Sequence, residues 1–598
     1  MMKFFKKLAP AVALALCFGI GGCGDTSFSV KLGYNDGTLP NEDGTLFYRE
    51  YDESLFYRND LTLKKVADPS VIYVEEGEYA GKLFLYGTSN TLSVRGIGVW
   101  QSDDGVHWDS YGVAFEPETA SWGYSSLWAP EVIYDGAGKY YMTYSARNSN
   151  TIAAGGKYYG NTYIGLAVSD SPAGPFVQWT GTNADGAEIG LGDPIFDPAK
   201  ITAVDGVACE AGHYARYRFL DSSLFADGDE LYMYFSRGKD RYNVLTPGDD
   251  YAYGKETSEI WGVKMKDFST PDYSTVTRLT KVGYNTVDGE TEADYNDIDR
   301  ERASADQINE APQMYKRDGV YYLTYSVGGT TSNFYSVAQA LGSSPLGPFT
   351  KLSKADGGLV LGTEMNWIQA AGTGHHSFTP IGDELFIFHH EGADRYTIDS
   401  ENRAIAYDRA GMAENSKGQK VLAANGPTSY SLQPLPAAIS GYKNIAPEAE
   451  VSVSGLKEGS DKKWLTDGFF ASHLTGVVGE TEFDAGTTAE ISLRWKEYRT
   501  VGALLLYNSI DYDKTFYRIA RISLSVRTAS GATGTAVADN AAFPFDETTN
   551  YSSQQLMFAG SNLVLDFNDI EVNGITITFR APRSEGSVAV GDICVLGK

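Results

Sequence analysis

The sequence predicts an all-β protein: a five-bladed β-propeller followed by a β-sandwich. Three observations carry that reading. Aromatic and glycine content is high, with 40 Tyr, 28 Phe and 65 Gly in 598 residues, which suits many strands joined by tight turns. One hairpin pattern recurs five times. No long helical periodicity follows the first two dozen residues.

The elements follow in chain order. The opening "MMKFFKKLAPAVALALCFGIGGCG" places Lys3, Lys6 and Lys7 before an apolar run that ends in small residues. It reads as a secretory signal over 1–22, too short and wrongly flanked for a stable spanning helix. The ending "IGGC" resembles a bacterial lipobox, which implies cleavage before Cys23 and acylation of its thiol. The chain is then expected in a bacterial cell envelope, on the periplasmic or surface face of the outer membrane, touching membrane only through that anchor. Plain secretion is the alternative. An N-terminal segment, 23–59, precedes the propeller.

The repeated hairpin has a polar or ionisable start, a short apolar run ending in an aromatic, a turn, and an aromatic strand. Its copies begin at Ala67 ("ADPSVIYVEEGEYAGKLFLYGTS"), Trp128 ("WAPEVIYDGAGKYYMTYSA"), Leu220 ("LDSSLFADGDELYMYFSR"), Asn309 ("NEAPQMYKRDGVYYLTYS") and Gly374 ("GHHSFTPIGDELFIFHHE"). Between them lie strand–turn–return motifs such as "GVWQSDDGVHW" from Gly98 and "YSVAQALGSSPLGPF" from Tyr335. Each unit thus supplies about four strands, the content of one blade. The units are long for blades, so loops are inserted around 148–160, 180–215 and 239–305. The propeller is read over 60–440. Pro434, Pro436 and Pro447 then punctuate a linker. Short alternating strands such as "ISLRWKEY" and "GITITFR" place a second all-β domain over 445–598.

Aligned on the aromatic before the turn, every copy carries an ionisable residue in one window: Asp68, Glu131, Asp221, Glu310 and His375. First strands line the axis of a propeller, so the five are expected to converge at one end of it. Acids beside proline also cap turns. That bland reading suits any one slot better than it suits five in five. Convergent carboxyls among aromatics, with no Cys/His zinc spacing and no Ser/His/Asp array, point to general acid–base work. Glycoside hydrolysis needs such a pair, one carboxyl protonated and one ionised. Trp128, Glu131 and His375 are the candidate substrate-binding residues, Trp128 as a stacking platform for a sugar face.

The formal charge of −28 repels nucleic acid and anionic lipid and suits a neutral substrate. Apart from Cys17 in the leader and the lipobox Cys23, the cysteines are Cys209 and Cys594, far apart in sequence, so no structural disulfide is expected.

At these motifs the chain resembles glycoside hydrolase family 43, the five-bladed arabinofuranosidases, arabinanases and xylosidases. The resemblance implies that "ADPSV" carries the general base, Asp68. "WAPEV" matches a second-blade motif that usually ends in Asp, where this chain has Glu131. "FLDSSLF" implies that Asp221 tunes the acid, with Ser222 where Pro is commoner. "NEAPQMY" implies that Glu310 is the acid, in Glu-Ala-Pro rather than Glu-Gly-Pro. "GTGHHSF" implies that His375 lies on the axis, where members often hold calcium or another ion, partly through water. Together these imply an exo-acting, inverting hydrolase, first of all an α-L-arabinofuranosidase that trims plant polysaccharide. A β-xylosidase or β-galactofuranosidase is the enzymatic alternative, and a non-catalytic sugar-binding propeller the alternative of another class. Oligo- or polysaccharide is the expected partner of a monomeric chain. "NIAPEAEVSVSG", "WLTDGFF" and "GDICVLG" resemble discoidin or galactose-binding-like jelly rolls, which implies a carbohydrate-binding module.

Overall fold

The computed structural model describes residues 28–31, 38–40, 46–48, 52–89, 96–147 except 125, 162–239, 257–282, 308–362 except 331, 370–394, 398, 402–470 except 429–430, 476–542 except 517, 560–581 and 586–598. The leader and Cys23 lie outside them.

The chain divides into two compact units. One is Asn59–Pro427 with the short piece 474–477; the other is Thr428–His473 and Val478–Lys598 with the N-terminal residues up to Arg58. The division at Pro427 falls earlier than residue 440, where the proline punctuation suggested it. The reason is local pairing: Gln433–Pro434 pairs with Phe56–Tyr57, and both belong to the second unit.

The first unit is the propeller. Blade 1 contains Val66–Val74, Lys82–Ser89, Ile97–Ser102 and Asp109–Phe115. Blade 2 contains Leu127–Tyr134, Tyr140–Arg147, Thr162–Ser169 and Val177–Gln178. Blade 3 contains Arg218–Asp227, Glu230–Lys239, Thr257–Asp267 and Thr270–Pro271. Blade 4 contains Asn309–Arg317, Val320–Val327, Ser336–Gly342 and Phe349–Lys351. Blade 5 contains Gly374–Ile381, Glu384–Gly392, Arg403–Glu414 and Lys420–Ala424. In every blade the strands pair in chain order.

First strands touch around the ring, and that of blade 5 touches that of blade 1, so the ring closes. The closure is also hydrogen-bonded. The chain entering blade 1 pairs with the third strand of blade 5, Lys65 N–H donating to the Arg403 carbonyl and Ile405 N–H to that of Leu63. The apolar cores lie between neighbouring blades. Phe84, Tyr86, Tyr144 and Phe176 fill the first gap, Phe196, Phe219 and Trp261 the second, and Tyr234, Leu323 and Phe349 the third. The fourth holds Tyr322, Ile387 and Leu422. In the fourth copy of the repeat the turn, at "KRDG", is a two-residue hairpin loop. Arg317 pairs with Val320, and Asp318 and Gly319 have φ of 51° and 80°, both positive as a type I′ turn requires.

The inner strands share one irregularity that positions the site. Each slips register once near its start, between Ala67 and Ser70, Trp128 and Glu131, Leu220 and Ser223, Glu310 and Gln313, and Gly374 and Ser377. Within each slip one residue is left-handed: Asp68, Ala129, Asp221, Ala311 or His375, at φ between 45° and 55°. A β-bulge of this kind re-aims the chain and leaves a residue out of the ladder. Pro69, Pro130 and Pro312 follow the left-handed residue in three blades; proline has no N–H to leave unpaired there.

The second unit is a nine-stranded sheet, antiparallel except where Phe28–Lys31 joins Thr533–Ala542 in parallel. Two long strands, Thr488–Asn508 and Asn562–Arg580, carry most of its pairing. Its core includes Ile491, Leu504, Ile575, Ile577 and Phe579. Cys209 and Cys594 are both free thiols. No helix among the described residues is long and apolar enough to cross a membrane.

Candidate active site

The register slips supply an alignment of the blades better than the aromatic anchors do. Asp68, Ala129, Asp221, Ala311 and His375 are equivalent, each the left-handed residue of its bulge. Glu310 and Trp128 stand one position earlier. Glu131 stands two positions later, level with Ser70, Ser223, Gln313 and Ser377. The five ionisable residues are therefore not one ring. Asp68, Asp221 and Glu310 come together with His375, and Glu131 belongs to the next layer along the axis. Alignment on the aromatics slips because side chains alternate faces along a strand, so the last aromatic before a turn does not mark one register.

The bulges are tied to one another around the ring. Each left-handed residue donates its N–H to a side chain on the second strand of the preceding blade. Ala129 donates to Thr88 Oγ1 at 2.9 Å, Asp221 to Ser145 Oγ at 2.9 Å, Ala311 to Ser236 Oγ at 3.0 Å, His375 to Ser326 Oγ at 2.8 Å and Asp68 to His390 Nδ1 at 3.3 Å. Thr88, Ser145, Ser236, Ser326 and His390 are equivalent, each facing the residue before the bulge. A left-handed conformation costs an L residue roughly 1–2 kcal/mol, and this ring of hydrogen bonds holds five of them where the carboxyls must converge.

Asp68 is buried to 7% exposure and lies among positive or polarisable groups. Arg403 Nη1 donates to its Oδ1 at 3.2 Å, and His375 Nδ1 lies 3.2 Å from the same oxygen. Burial raises its pKa, but His375, Arg403 and His390 overcome that, and the carboxyl is held well below the usual range. His390 accepts the Asp68 N–H at Nδ1, which requires a neutral ring. Burial agrees, pushing its pKa down to about 3. Burial lowers the pKa of His375 too, against the pull of Asp68.

Asp221 and Glu310 have the opposite environment. Burial, then the charge of Glu310, then that of Asp68, raise Asp221 well above the ordinary carboxylate range. Burial also raises Glu310, with Asp68 adding to it and the Tyr335 hydrogen bond, Arg218 and Arg403 opposing. The two titrate together and hold a proton beyond the normal range. Tyr335 donates to Glu310 Oε1 at 2.8 Å, and Ser236 donates to Asp221 Oδ2 at 3.2 Å. The ring of Tyr335 stacks on His390 at 5.6 Å between centroids. It occupies the space a Cβ at Gly374 would take, 2.2 Å from its Cε1. That explains the glycine of the Gly-His motif.

Glu131 is pushed up to about 8 by burial, although Gln313 and Ser70 hydrogen-bond it. It is an uncharged acid near neutral pH that links the strands carrying Asp68 and Glu310. Trp128 shares the layer of Glu310, with the Arg147 guanidinium 5.8 Å over its ring. The axial ion has a poor ligand set. Calcium takes six to eight oxygens, whereas His375 offers one ring nitrogen beside a carboxylate already held by Arg403. No three His, Cys, Asp or Glu among the described residues come together as a metal site. These residues do not fit a directly held ion, and no step below uses one.

Sequence reasoning missed Arg403, His390, Tyr335, Arg218 and Ser236. An arginine in the apolar run "NRAIAYD" and the second histidine pair, "FHHE", were the available signals for the first two. Tyr335 was one tyrosine among 40.

Two of the matching curated proteins each cover about half of this chain. A beta-xylosidase of Xylanibacter ruminicola is 26% identical, covering 54% of this chain and 87% of that protein. A xylosidase/arabinosidase of Bacteroides ovatus is 25% identical, covering 54% of this chain and 86% of that protein. The crystal structure of a thermostable family-43 glycoside hydrolase matches at 28% identity and a TM-score of 0.46, covering 64% of this chain and 99% of that one. The family model for glycosyl hydrolases family 43 matches residues 57–209 and 208–415, more than half of the chain. This protein belongs to glycosyl hydrolases family 43 and is a glycoside hydrolase.

Proposed function

We propose that the propeller is an exo-acting, inverting glycosidase that removes α-L-arabinofuranosyl side chains from plant polysaccharide. One observation carries the roles of the residues. Carboxyls gathered at one end of the axis are tuned in opposite directions, Asp68 down and the Asp221–Glu310 pair up. Such a split separates a base from an acid. Asp68, ionised, takes a proton from water as the water oxygen bonds to the anomeric carbon. Glu310, protonated, gives its proton to the departing glycosidic oxygen as that bond breaks. Asp221 shares a proton with Glu310, since two buried carboxyls so close do not both ionise. Arg403 and His375 orient the base and hold its charge. Trp128 offers a ring face to the sugar. Deep burial of Asp68 and Asp221 favours a chain end or side branch over the middle of a chain.

The second reading is β-xylosidase activity, favoured by the names of the two curated relatives. Nitrophenyl α-L-arabinofuranoside and β-xyloside decide between them, the first being the expected substrate. Asp68→Asn and Glu310→Gln, which keep size and remove the base or the transferable proton, should each cost about a hundredfold or more in kcat. Activity within about threefold of wild type in either variant would be incompatible with its role. No release from any aryl glycoside would favour a binding propeller instead.

A further inference from the structure

Of the ring of cross-blade hydrogen bonds, one does more than close a bulge. Ser236 is fully buried on the second strand of blade 3. Its Oγ accepts the N–H of Ala311, the residue after Glu310, at 3.0 Å. The same hydroxyl gives its proton to Asp221 Oδ2 at 3.2 Å. Asp221 is itself anchored from the preceding blade, its N–H donating to Ser145 Oγ at 2.9 Å. One side chain thus joins two of the site's carboxyl-bearing strands, the carboxylate of one and the backbone of the other.

A hydroxyl has one proton to give and lone pairs to accept with. Here the Ala311 N–H points at the lone pairs, which leaves the proton to Asp221. We propose that Ser236 is a positioning residue for proton donation: by holding the Asp221 carboxyl and the Ala311 backbone at once, it fixes where Glu310 sits and biases the charge of the Asp221–Glu310 pair toward Asp221. The proposal rests on the roles given above to Glu310 and Asp221. The other charged or titratable groups facing this pair are Asp68, Arg218, Arg403 and Tyr335. Of these, Tyr335, Arg218 and Arg403 act the other way, because each favours charge on Glu310.

The sign follows. Ser236→Ala removes the donor that stabilises charge on Asp221. The shared proton then shifts toward Asp221, and Glu310 ionises at lower pH. Loss of a protonated acid appears on the alkaline limb of the pH profile. The same change frees the Ala311 backbone, which lowers kcat more than it raises KM.

The ring contains its own control. Thr88 holds the N–H of Ala129 as Ser236 holds that of Ala311, but no carboxyl of the acid pair lies on either of its strands. The experiment compares kcat, KM and the pH profile of Ser236→Ala, Ser236→Thr and Thr88→Val, with Glu310→Gln in parallel and melting temperatures throughout. Ser236→Ala should lower kcat about tenfold, change KM less than about threefold, and move the alkaline limb down by about half a pH unit. Ser236→Thr, which keeps the hydroxyl, should restore the limb. Thr88→Val should lower the melting temperature and leave the limb in place. Where the alanine variant does not fold, Ser236→Cys, a weaker donor, should move the limb the same way by less. An inactive Glu310→Gln beside an unmoved limb in Ser236→Ala overturns this proposal alone. Equal limb shifts in Ser236→Ala and Thr88→Val reduce the role to packing and overturn it as well. Retained activity in Glu310→Gln overturns the acid assignment and this proposal with it.

Discussion

Glu310 reaches its position because two other residues make room for it and hold it. Gly374 lacks a side chain where the Tyr335 ring lies, and Tyr335 donates to Glu310 Oε1. Tyr335→Phe removes a hydrogen bond that favours ionised Glu310. The pKa of the acid should rise, the alkaline limb of the rate profile should move to higher pH, and kcat should fall about tenfold as the carboxyl loses its anchor. Gly374→Ala should reproduce the loss of kcat by displacing the ring. A limb that moves to lower pH in Tyr335→Phe would show that the phenol does not stabilise the carboxylate. The sequence displayed Glu310 and Asp68 through short motifs. It hid Tyr335 and Arg403, because a contact's partner is not written beside it. Arg403 lies 335 positions from the carboxylate it holds, and only closure of the ring brings the two together.

At the scale of the strand, the β-bulge decides which residues face the site. The repeat, the four strands per blade and the hairpin turns were legible, because period and turn chemistry are local. The bulge was not, since it shows only as pairing with a neighbour. Glu131 was therefore grouped with the other four ionisable residues in one window, whereas three residues of register separate its level from that of Glu310. Its position predicts a pH effect on stability rather than a direct part in turnover. The folded pKa is raised to about 8 from an ordinary 4.5. Between those values the folded state holds a proton that the unfolded state has released, so stability falls as pH rises through this window. Below about 4.5 both states are protonated and the contribution is complete. Glu131→Gln mimics the protonated acid and does not titrate. Its melting temperature should match the wild type near pH 5 and exceed it by a few degrees near pH 8. Melting curves at four or five pH values test this. A gap between variant and wild type that stays constant with pH would mean that Glu131 is ionised in the folded protein throughout.

At the scale of the whole propeller, closure of the ring and placement of the base are one event. The strand that pairs with the incoming chain at Lys65 also carries Arg403, which holds Asp68. The fifth blade likewise supplies His375 and His390, so three of the groups around the base come from the last blade in the chain. Five-fold geometry also bears on the stereochemistry. Asp68 lies on blade 1 and Glu310 on blade 4, with blade 5 between them, whereas Asp221 lies on blade 3, next to Glu310. Non-adjacent blades leave room for a water between base and sugar, and inverting enzymes keep their carboxyls roughly 6.5–9.5 Å apart to admit one, against about 5–5.5 Å where a carboxylate attacks directly. Asp221, the nearer neighbour, is a poor nucleophile because it shares a proton with Glu310 and its Oδ2 accepts from Ser236. Hydrolysis should therefore release a sugar of inverted configuration. Proton NMR of the anomeric signal in the first minutes of reaction, before mutarotation, shows which anomer forms first. If the first product keeps the configuration of the substrate, Asp68 does not activate water, and the attacking carboxylate must be sought closer to Glu310.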